Sequence, residues 1–422
     1  MGLWPAIFTK IKVQEMMNNN TATTHRESTS KHHCMVVLAH YPLAETRVQR
    51  EAEALAAHGF KVDVICLRGR QEAPQEHYRG VQIFRLPVRL KKKGLAKQFA
   101  NYVHFFIFAA LKLTQLHRRR PYDTIQTHNL PDFLVFCALI PKLSGVPVIL
   151  DLHDLMPEFY AGRFGQNKNS LLGRLIRWQE RLACAFANHV ITVSEHWRQA
   201  LIERGVPAHK CSVVMNVADQ DIFSPSEDNE PPLPNPTEFR LIYHGTVVER
   251  YGLDLAIRAV DQVRRDIPNV RFTILGRGNH VNTLKQMIRE LDLDDHVIMH
   301  DELRPAEELP KIIRTANLGI VPYRNDVFTD GLLPTKLMEY AALGLPAIAA
   351  RTTAIEACFS DTMVEFFEPG DVDDLAHCIR VLYENPERLE ELAQRSERFN
   401  QQYSWAKIGA EYVALVKRLG SL

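Results

Sequence analysis

The chain of 422 residues lacks most of the features that would place it outside the ordinary globular class. Its seven cysteines, Cys34, Cys66, Cys137, Cys184, Cys211, Cys358 and Cys378, stand singly, with no C-x-x-C pair and an odd total. That excludes a disulfide framework and a paired-cysteine zinc site, and predicts reduced thiols in a cytoplasmic protein, most of them small buried hydrophobes. No stretch approaches the ~20 uninterrupted apolar residues of a spanning helix. An excess of one charge is missing too: 51 Lys+Arg face 50 Asp+Glu. A balance this even gives no general attraction to nucleic acid, and none is expected as a partner. There is no H-E-x-x-H, and no G-x-G-x-x-G follows the first strand of either half, which weighs against a zinc hydrolase and a dehydrogenase.

What is present is a 46% apolar, 24% charged sequence with 23 prolines and 20 glycines, longer than one core usually serves, so two domains are expected. Met1 to His33 holds a short apolar piece and then a polar Asn/Thr/Ser tract, without the apolar region and cleavage site of a secretory signal. Residues 1–33 are read as a disordered extension. From Cys34 the grammar changes to strand, helix, strand: CMVVLAH, then RVQREAEALAAHGF with Gly59 as helix stop, then KVDVICLRG. It continues through TIQTHN, a helix over Pro131 to Ser144, PVILDLHD, a long helix over Leu171 to Ala187, and HVITVSE. A second series runs from FRLIYHGT, with helices at Leu253 to Asp266 and Asn282 to Leu291, through VRFTILGRG, VIMHDE, LGIVPY and LPAIAA. The pattern predicts an α/β protein of two doubly wound, Rossmann-like parallel sheets in tandem, 34–222 and 239–400, with ligands at the carboxyl ends of the strands. The Pro- and acid-rich segment 223–238 reads as linker, and residues 401–422 as an amphipathic helix free to dock on either domain.

Three loops could carry chemistry. In Tyr243 to Gly252 a glycine follows a strand and precedes a helix, and Arg250 offers a fork of donors suited to phosphate; the rival reading is a tight turn with a solvated arginine. In Thr329 to Tyr340, Pro334 suits a first helical turn, Lys336 a phosphate and Glu339 a ribose diol; the rival is a surface ion pair of ~0.3–0.5 kcal/mol. Val148 to Glu158 runs a buried strand into His153, Asp154 and Glu158, with His128, Asn129 and Asp132 placed to sit beside them. A zinc site is the weaker rival there, for want of compact ligand spacing. Between Arg85 and Arg120, Lys91, Lys92, Lys93 and Lys97 precede an aromatic helix that Arg118, Arg119 and Arg120 follow. This stretch suits either an anionic membrane surface or a core helix with solvated ends.

The motifs THNLPD, ILDLHDLMPE, HVITVSEHWRQALIERGVP, VVMNVADQDIF, YHGTVVERYGLDLAIRAV, ILGRG and LLPTKLMEYAALGLPAIA, in this order, resemble the retaining glycosyltransferases of family 4 with the GT-B fold. The resemblance covers nearly everything from Cys34 onward. It implies transfer of a sugar from a UDP- or GDP-sugar to a hydroxyl acceptor, by a metal-independent enzyme needing no cofactor. A lipid-linked saccharide of surface polysaccharide synthesis is the acceptor it suggests, with the protein in the cytoplasm, peripheral on the membrane face. By the same resemblance His153 and Asp154 fall at the transferring sugar, and Gly245, Thr246, Arg250, Lys336, Gly331 and Leu332 at the donor diphosphate. Glu339 falls at the ribose, and Thr46, Arg47 and His128 on the acceptor side. The family's E-x-x-x-x-x-x-x-E signature departs here, with Gly331 in its first position and Asp330 one place earlier. The usual arginine and lysine of the phosphate loop are Thr246 and Tyr251. A nucleotide-sugar 2-epimerase, a phosphorylase, or a nucleotide-sugar-binding protein without catalysis would use the same frame.

Overall fold

Short runs dominated by Val, Ile and Leu that are apolar on both sides form strands only where helices cover both faces of their sheet, and two such sheets follow one another here. In a computed structural model that describes residues 30–42, 45–88, 95–164, 170–224 and 237–421, the first sheet has eight strands. They are β1 (His32–Val36), β2 (Lys61–Leu67), β3 (Gln75–Tyr78), β4 (Val81–Leu86), β5 (Thr124–His128), β6 (Val148–Leu152), β7 (His189–Thr192) and β8 (Cys211–Val213). Their order is β3-β4-β2-β1-β5-β6-β7-β8, parallel except for the β3/β4 hairpin. The second sheet holds β9 (Phe239–His244), β10 (Val270–Leu275), β11 (Val297–His300), β12 (Leu318–Val321), β13 (Ala347–Ala350) and β14 (Glu365–Phe367), all parallel, in the order β11-β10-β9-β12-β13-β14. In each sheet the order reverses beside the first strand, between β1 and β5 and between β9 and β12, and loops leaving the two sides of such a point diverge and open a crevice.

Several expectations need correction. Strand β1 begins at His32, so the last two residues of the expected 1–33 extension belong to the sheet; residues 1–29 lie outside the described residues. The segment Pro131 to Ser144 is a 3₁₀ turn, Asp132–Ala138, followed by a short helix, Leu139–Leu143. Asn129 holds the Asp132 carboxylate at 2.9 Å and pins the first turn, and Pro141 falls within the first turn of the second piece, where its missing N–H is not needed. Phe223 is buried in the core instead of opening the expected 223–238 linker, most of which, 225–236, lies outside the described residues.

The C-terminal helix Trp405–Leu419 returns to the first domain. Tyr412 donates to Gln126 Oε1 at 2.7 Å, and Arg50 lies 5.1 Å over the Trp405 ring. All seven cysteines are free, and only Cys358 is more than slightly exposed.

Candidate active site

The N-terminal wall of the crevice is built on parallel register. Strand β5 pairs with β6 so that His128 stands opposite Asp151, and both lie at the carboxyl edge with His153 just beyond. Asp151 is fully buried, and burial raises the cost of its charge. That cost is met by Arg47 from the helix Thr46–Ala57: Nε donates to Asp151 Oδ2 at 3.1 Å and a terminal nitrogen to Oδ1 at 2.9 Å. Arg47 also reaches the Val214 carbonyl at 2.6 Å and Glu51 at 3.1 Å. Although burial opposes it, Arg47 with the nearby histidines holds the Asp151 carboxyl well below the usual range. His128 Nδ1 lies 3.1 Å from Asp151 Oδ2, and burial pulls its pKa down to about 4, leaving it neutral. His153 responds in the opposite direction: burial would lower it, but the Asp151 carboxylate 3.4 Å away raises its pKa above the ordinary value. Asn129 fixes the turn that carries His153, accepting from its backbone N–H at 2.8 Å and donating to the Asp154 carbonyl at 2.6 Å.

The C-terminal wall is organised around one lysine. Lys336, in the first turn of the helix Thr335–Ala342, is buried, and its Nζ donates to the Tyr323 hydroxyl at 2.7 Å. The rings of Tyr243, Tyr251 and Tyr323 surround it at 4.9, 5.3 and 5.0 Å. Aromatic faces stabilise a cation without neutralising it. Burial pulls the Lys336 pKa down to about 8, against a smaller opposing pull from Glu339. Glu339 is pushed up to about 7 by burial, and His244, 3.2 Å away through Nε2, is held neutral, burial lowering it to about 3. Gly245 lies directly over the lysine: a Cβ there would sit 3.4 Å from Lys336 Cε, and the φ of +115° is one that other residues rarely adopt. A side chain on Gly276 of the adjoining ILGRG loop would run into the Gly245 carbonyl at 1.7 Å, so the two loops stack only because it has none.

Between these walls lies a cavity of about 410 Å³ lined by Glu45, Thr46, Arg47, His153 and Asp154 on one side and by His244, Gly245, Thr246, Tyr251, Lys336 and Glu339 on the other. A second cavity, about 770 Å³, shares Asp154, Thr246, Tyr251 and Leu332 with it and contains Arg250. A third, about 370 Å³, shares Glu45 and runs past Val37, Asn129 and the first turns of the helix Leu95–Arg119.

The crevice thus gathers His153, Asp154, Thr46, Gly245, Thr246, Leu332, Lys336 and Glu339. Several expected site residues take other parts than those expected. His128 has no exposed surface, so it supports His153 from below instead of meeting an acceptor. Arg47 has its guanidinium occupied by Asp151, Glu51 and Val214, which makes it an anchor for the network more than an acceptor contact. The Gly245 N–H is taken by the Leu275 carbonyl at 2.9 Å, so this glycine clears space and does not donate to an anion. Gly331 is packed under the N-terminal domain, where a Cβ would strike the Trp197 ring at 2.3 Å. Asp330 accepts from the Thr353 N–H and hydroxyl, each at 2.9 Å, and so is not a free leading carboxylate. Pro334 caps the helix from just outside it. Lys336 and Glu339 form no surface ion pair, since Lys336 is buried.

The residues that sequence reasoning missed are Glu45, His244 and the tyrosine cage. The cage draws on strand β9, the turn Glu249–Tyr251 and the loop after β12, and Tyr251 stands where a cation was sought. His128, Asp151 and His153 present ligand atoms within 4.8 Å of one another, a candidate metal cluster. Both Asp151 oxygens already accept from the Arg47 cation, which disfavours a second positive charge there.

Two family models match the chain in tandem: a glycosyl transferase 4-like domain over residues 44–216 and glycosyl transferases group 1 over residues 226–399. The chain is 26% identical over 270 residues to the chitobiosyldiphosphodolichol beta-mannosyltransferase of Debaryomyces hansenii, covering 59% of this chain and 56% of that one. It spans about half the length of the first curated relatives it matches. Among solved structures, sucrose-phosphate synthase from Thermosynechococcus elongatus superposes with a TM-score of 0.76 at 19% identity, over 93% of this chain and all of that one. The Anabaena protein HepE in complex with UDP gives 0.68 at 17%, over 92% of this chain and all of that one.

Proposed function

The chain belongs to the group 1 glycosyl transferases, in their two-domain GT-B form with a glycosyl transferase 4-like N-terminal half, and from that premise we propose that it moves a sugar from a UDP- or GDP-sugar to a hydroxyl acceptor with retention. The acceptor proposed is a lipid-linked saccharide, the class that the Debaryomyces relative's name contains, met at a membrane surface. The observation that carries the reading is the buried, caged Lys336 facing His153 across one cavity. A cation held without a carboxylate partner is suited to an anion that arrives, and a diphosphate bearing a sugar would place its anion at Lys336 and its sugar toward the histidine on the far side.

Breaking the bond from the anomeric carbon to the diphosphate places positive charge on the sugar ring and negative charge on the departing oxygens. Lys336 and the positive end of the helix Thr335–Ala342 would stabilise that departing charge as it develops, without a metal ion. Glu339 would accept from the ribose hydroxyls. The acceptor hydroxyl attacks on the face the diphosphate leaves, its proton passing to the departing phosphate oxygen. His153, held by Asp151 and Asn129, orients the sugar and does not form a covalent bond. The cavity that shares Glu45 is the route for the acceptor.

The test is a donor panel read for released nucleoside diphosphate, with product anomer assigned by NMR and a chelator present throughout. Transfer dependent on acceptor, with the donor's anomeric configuration kept, supports the proposal. Conversion of a UDP-amino sugar without acceptor would identify an epimerase, and binding without any release a non-catalytic protein. His153→Ala should keep nucleoside diphosphate affinity within about twofold while turnover falls by ~100-fold or more.

A further inference from the structure

A surface helix turns its apolar stripe to the core and polar groups to water, and one helix of the N-terminal domain breaks that rule. The helix Leu171–Phe186 buries Ile176, Ala183 and Cys184 on its inner side. On its outer side Leu171, Leu175, Trp178 and Leu182 are 85%, 56%, 59% and 41% exposed. At 3.6 residues per turn these four positions fall within an arc of about 60°. Exposed Arg174 and Arg181 flank the stripe, and the helix's one acid, Glu180, is turned inward to Arg204 at 3.0 Å.

This stripe belongs to a larger face. The helix Leu95–Arg119 and the segment 132–143 lie beside it: Phe99 and Phe106 meet the Phe133 ring, and Phe136 and Lys142 meet Phe186 at 5.1 Å each. Among the described residues, every exposed large apolar side chain except Ile298, Leu303, Val327 and Tyr383 lies on these three elements. The helix Leu95–Arg119 contains no Asp or Glu, and Asp132 is buried, so the charge this face shows to solvent is positive. The expected basic stretch 85–120 is only part of it. Arg85 is buried and paired with Glu76 at 2.7 Å, Phe105 is in the core, and Lys91 to Lys93 lie outside the described residues.

We propose that this face, centred on the helix Leu171–Phe186, docks on an anionic lipid bilayer, with Leu171, Leu175, Trp178 and Leu182 entering the headgroup and acyl boundary and the arginines meeting lipid phosphates. An apolar stripe with same-sign charges beside it is what such a surface binds, each well-placed cation adding ~1 kcal/mol. A second copy of the chain would press two positive faces together. None of the described helices is long and apolar enough to cross a membrane, so these helices lie along it. The arrangement deepens the acceptor reading and rests on it in one respect: the cavity that shares Glu45 begins at Gln98 and Tyr102, on the same helix that carries Phe99 to the bilayer, which brings a lipid-linked acceptor in beside His153.

The test uses the full chain with phosphatidylglycerol/phosphatidylcholine vesicles and with phosphatidylcholine alone. Expected are sedimentation with the anionic vesicles, quenching of Trp178 by brominated acyl chains that disappears in Trp178→Phe, and at least tenfold weaker binding in Leu175→Glu/Trp178→Glu and in Arg174→Glu/Arg181→Glu. Nucleoside diphosphate affinity, measured on the same variants, should be unchanged because none lines the cleft, and this shows that they are folded. Equal vesicle binding by folded variants, no binding to anionic vesicles, or a dimer in sedimentation velocity that Leu175→Glu/Trp178→Glu dissolves would each overturn the proposal. Release of nucleoside diphosphate with a soluble acceptor reports separately on the catalytic reading.

Discussion

The two walls of the crevice treat charge in opposite ways. On the N-terminal wall the central buried charges are paired: Arg47 is shared between Asp151 and Glu51, and Asp151 leans on His128 and His153. On the C-terminal wall Lys336 has rings and a hydroxyl in place of a carboxylate, and Glu339 has a neutral histidine. Asp151, with the Arg47 cation on both oxygens, stays ionised and fixes geometry, while burial pushes Glu51 on the same arginine up to about 7. Lys336 and Glu339 have no opposite charge at hydrogen-bond distance, and burial drags them toward neutrality, to about 8 for the lysine and about 7 for the glutamate, until a ligand of complementary character arrives. The first wall is built to position and the second to bind.

The sharpest way to break this contrast is to remove one charge from each side. Asp151→Ala leaves the Arg47 cation in the core with Glu51 as its remaining carboxylate and should cost ~3–5 kcal/mol of folding stability, seen as a lower denaturant midpoint. Lys336→Met should behave in the reverse sense. A folded pKa near 8 against an ordinary 10.5 means that burial penalises the protonated form, by about 3 kcal/mol where both states are protonated. Removing the charge therefore should not destabilise the protein at pH 7, while nucleoside diphosphate affinity falls ~10–100-fold. For the same reason stability of the wild type should rise as pH climbs from 8 toward 10.5, where the unfolded chain still holds the proton that the folded one has released, and Lys336→Met should lack that rise.

Activity should depend on pH through the same pair. Donor binding needs Glu339 ionised and Lys336 protonated, so kcat/KM should be bell-shaped, falling below about 7 and above about 8. Glu339→Gln should remove the acid limb and Lys336→Arg the alkaline one, each read from the pH profile. The smallest effect is expected at Arg250, which lies in the neighbouring cavity with its guanidinium 5.0 Å over Phe328. Arg250→Ala should change donor KM by about three- to fivefold, the range of a partly exposed charge.

Much of this was legible because alternation of Val-rich runs with amphipathic stretches leaves a parallel α/β arrangement as the economical way to bury both faces of each sheet. The edge hairpin β3/β4 was not: QEHY is almost wholly exposed and polar, and carries no burial signal. At the site, His153 and Asp154 stand out as polar residues directly after a buried strand, whereas Lys336 and Glu339 read alone as a surface ion pair and are picked out by the family resemblance. The tyrosine cage could not be named, because a buried Tyr reads as core in sequence and only packing brings Tyr243, Tyr251 and Tyr323 to one ammonium group. The same limit misplaced His128 and Gly331, whose motif positions are right beside the crevice but whose side of the backbone faces the interior.

The most direct test is calorimetric titration of nucleoside diphosphate at pH 8 in buffers of different ionisation enthalpy. If Lys336 receives the diphosphate, binding restores its proton, and about half a proton should be taken up per site in the wild type and none in Lys336→Met, which also binds more weakly. Unchanged affinity in Lys336→Met, with the same proton count as the wild type, would contradict the account.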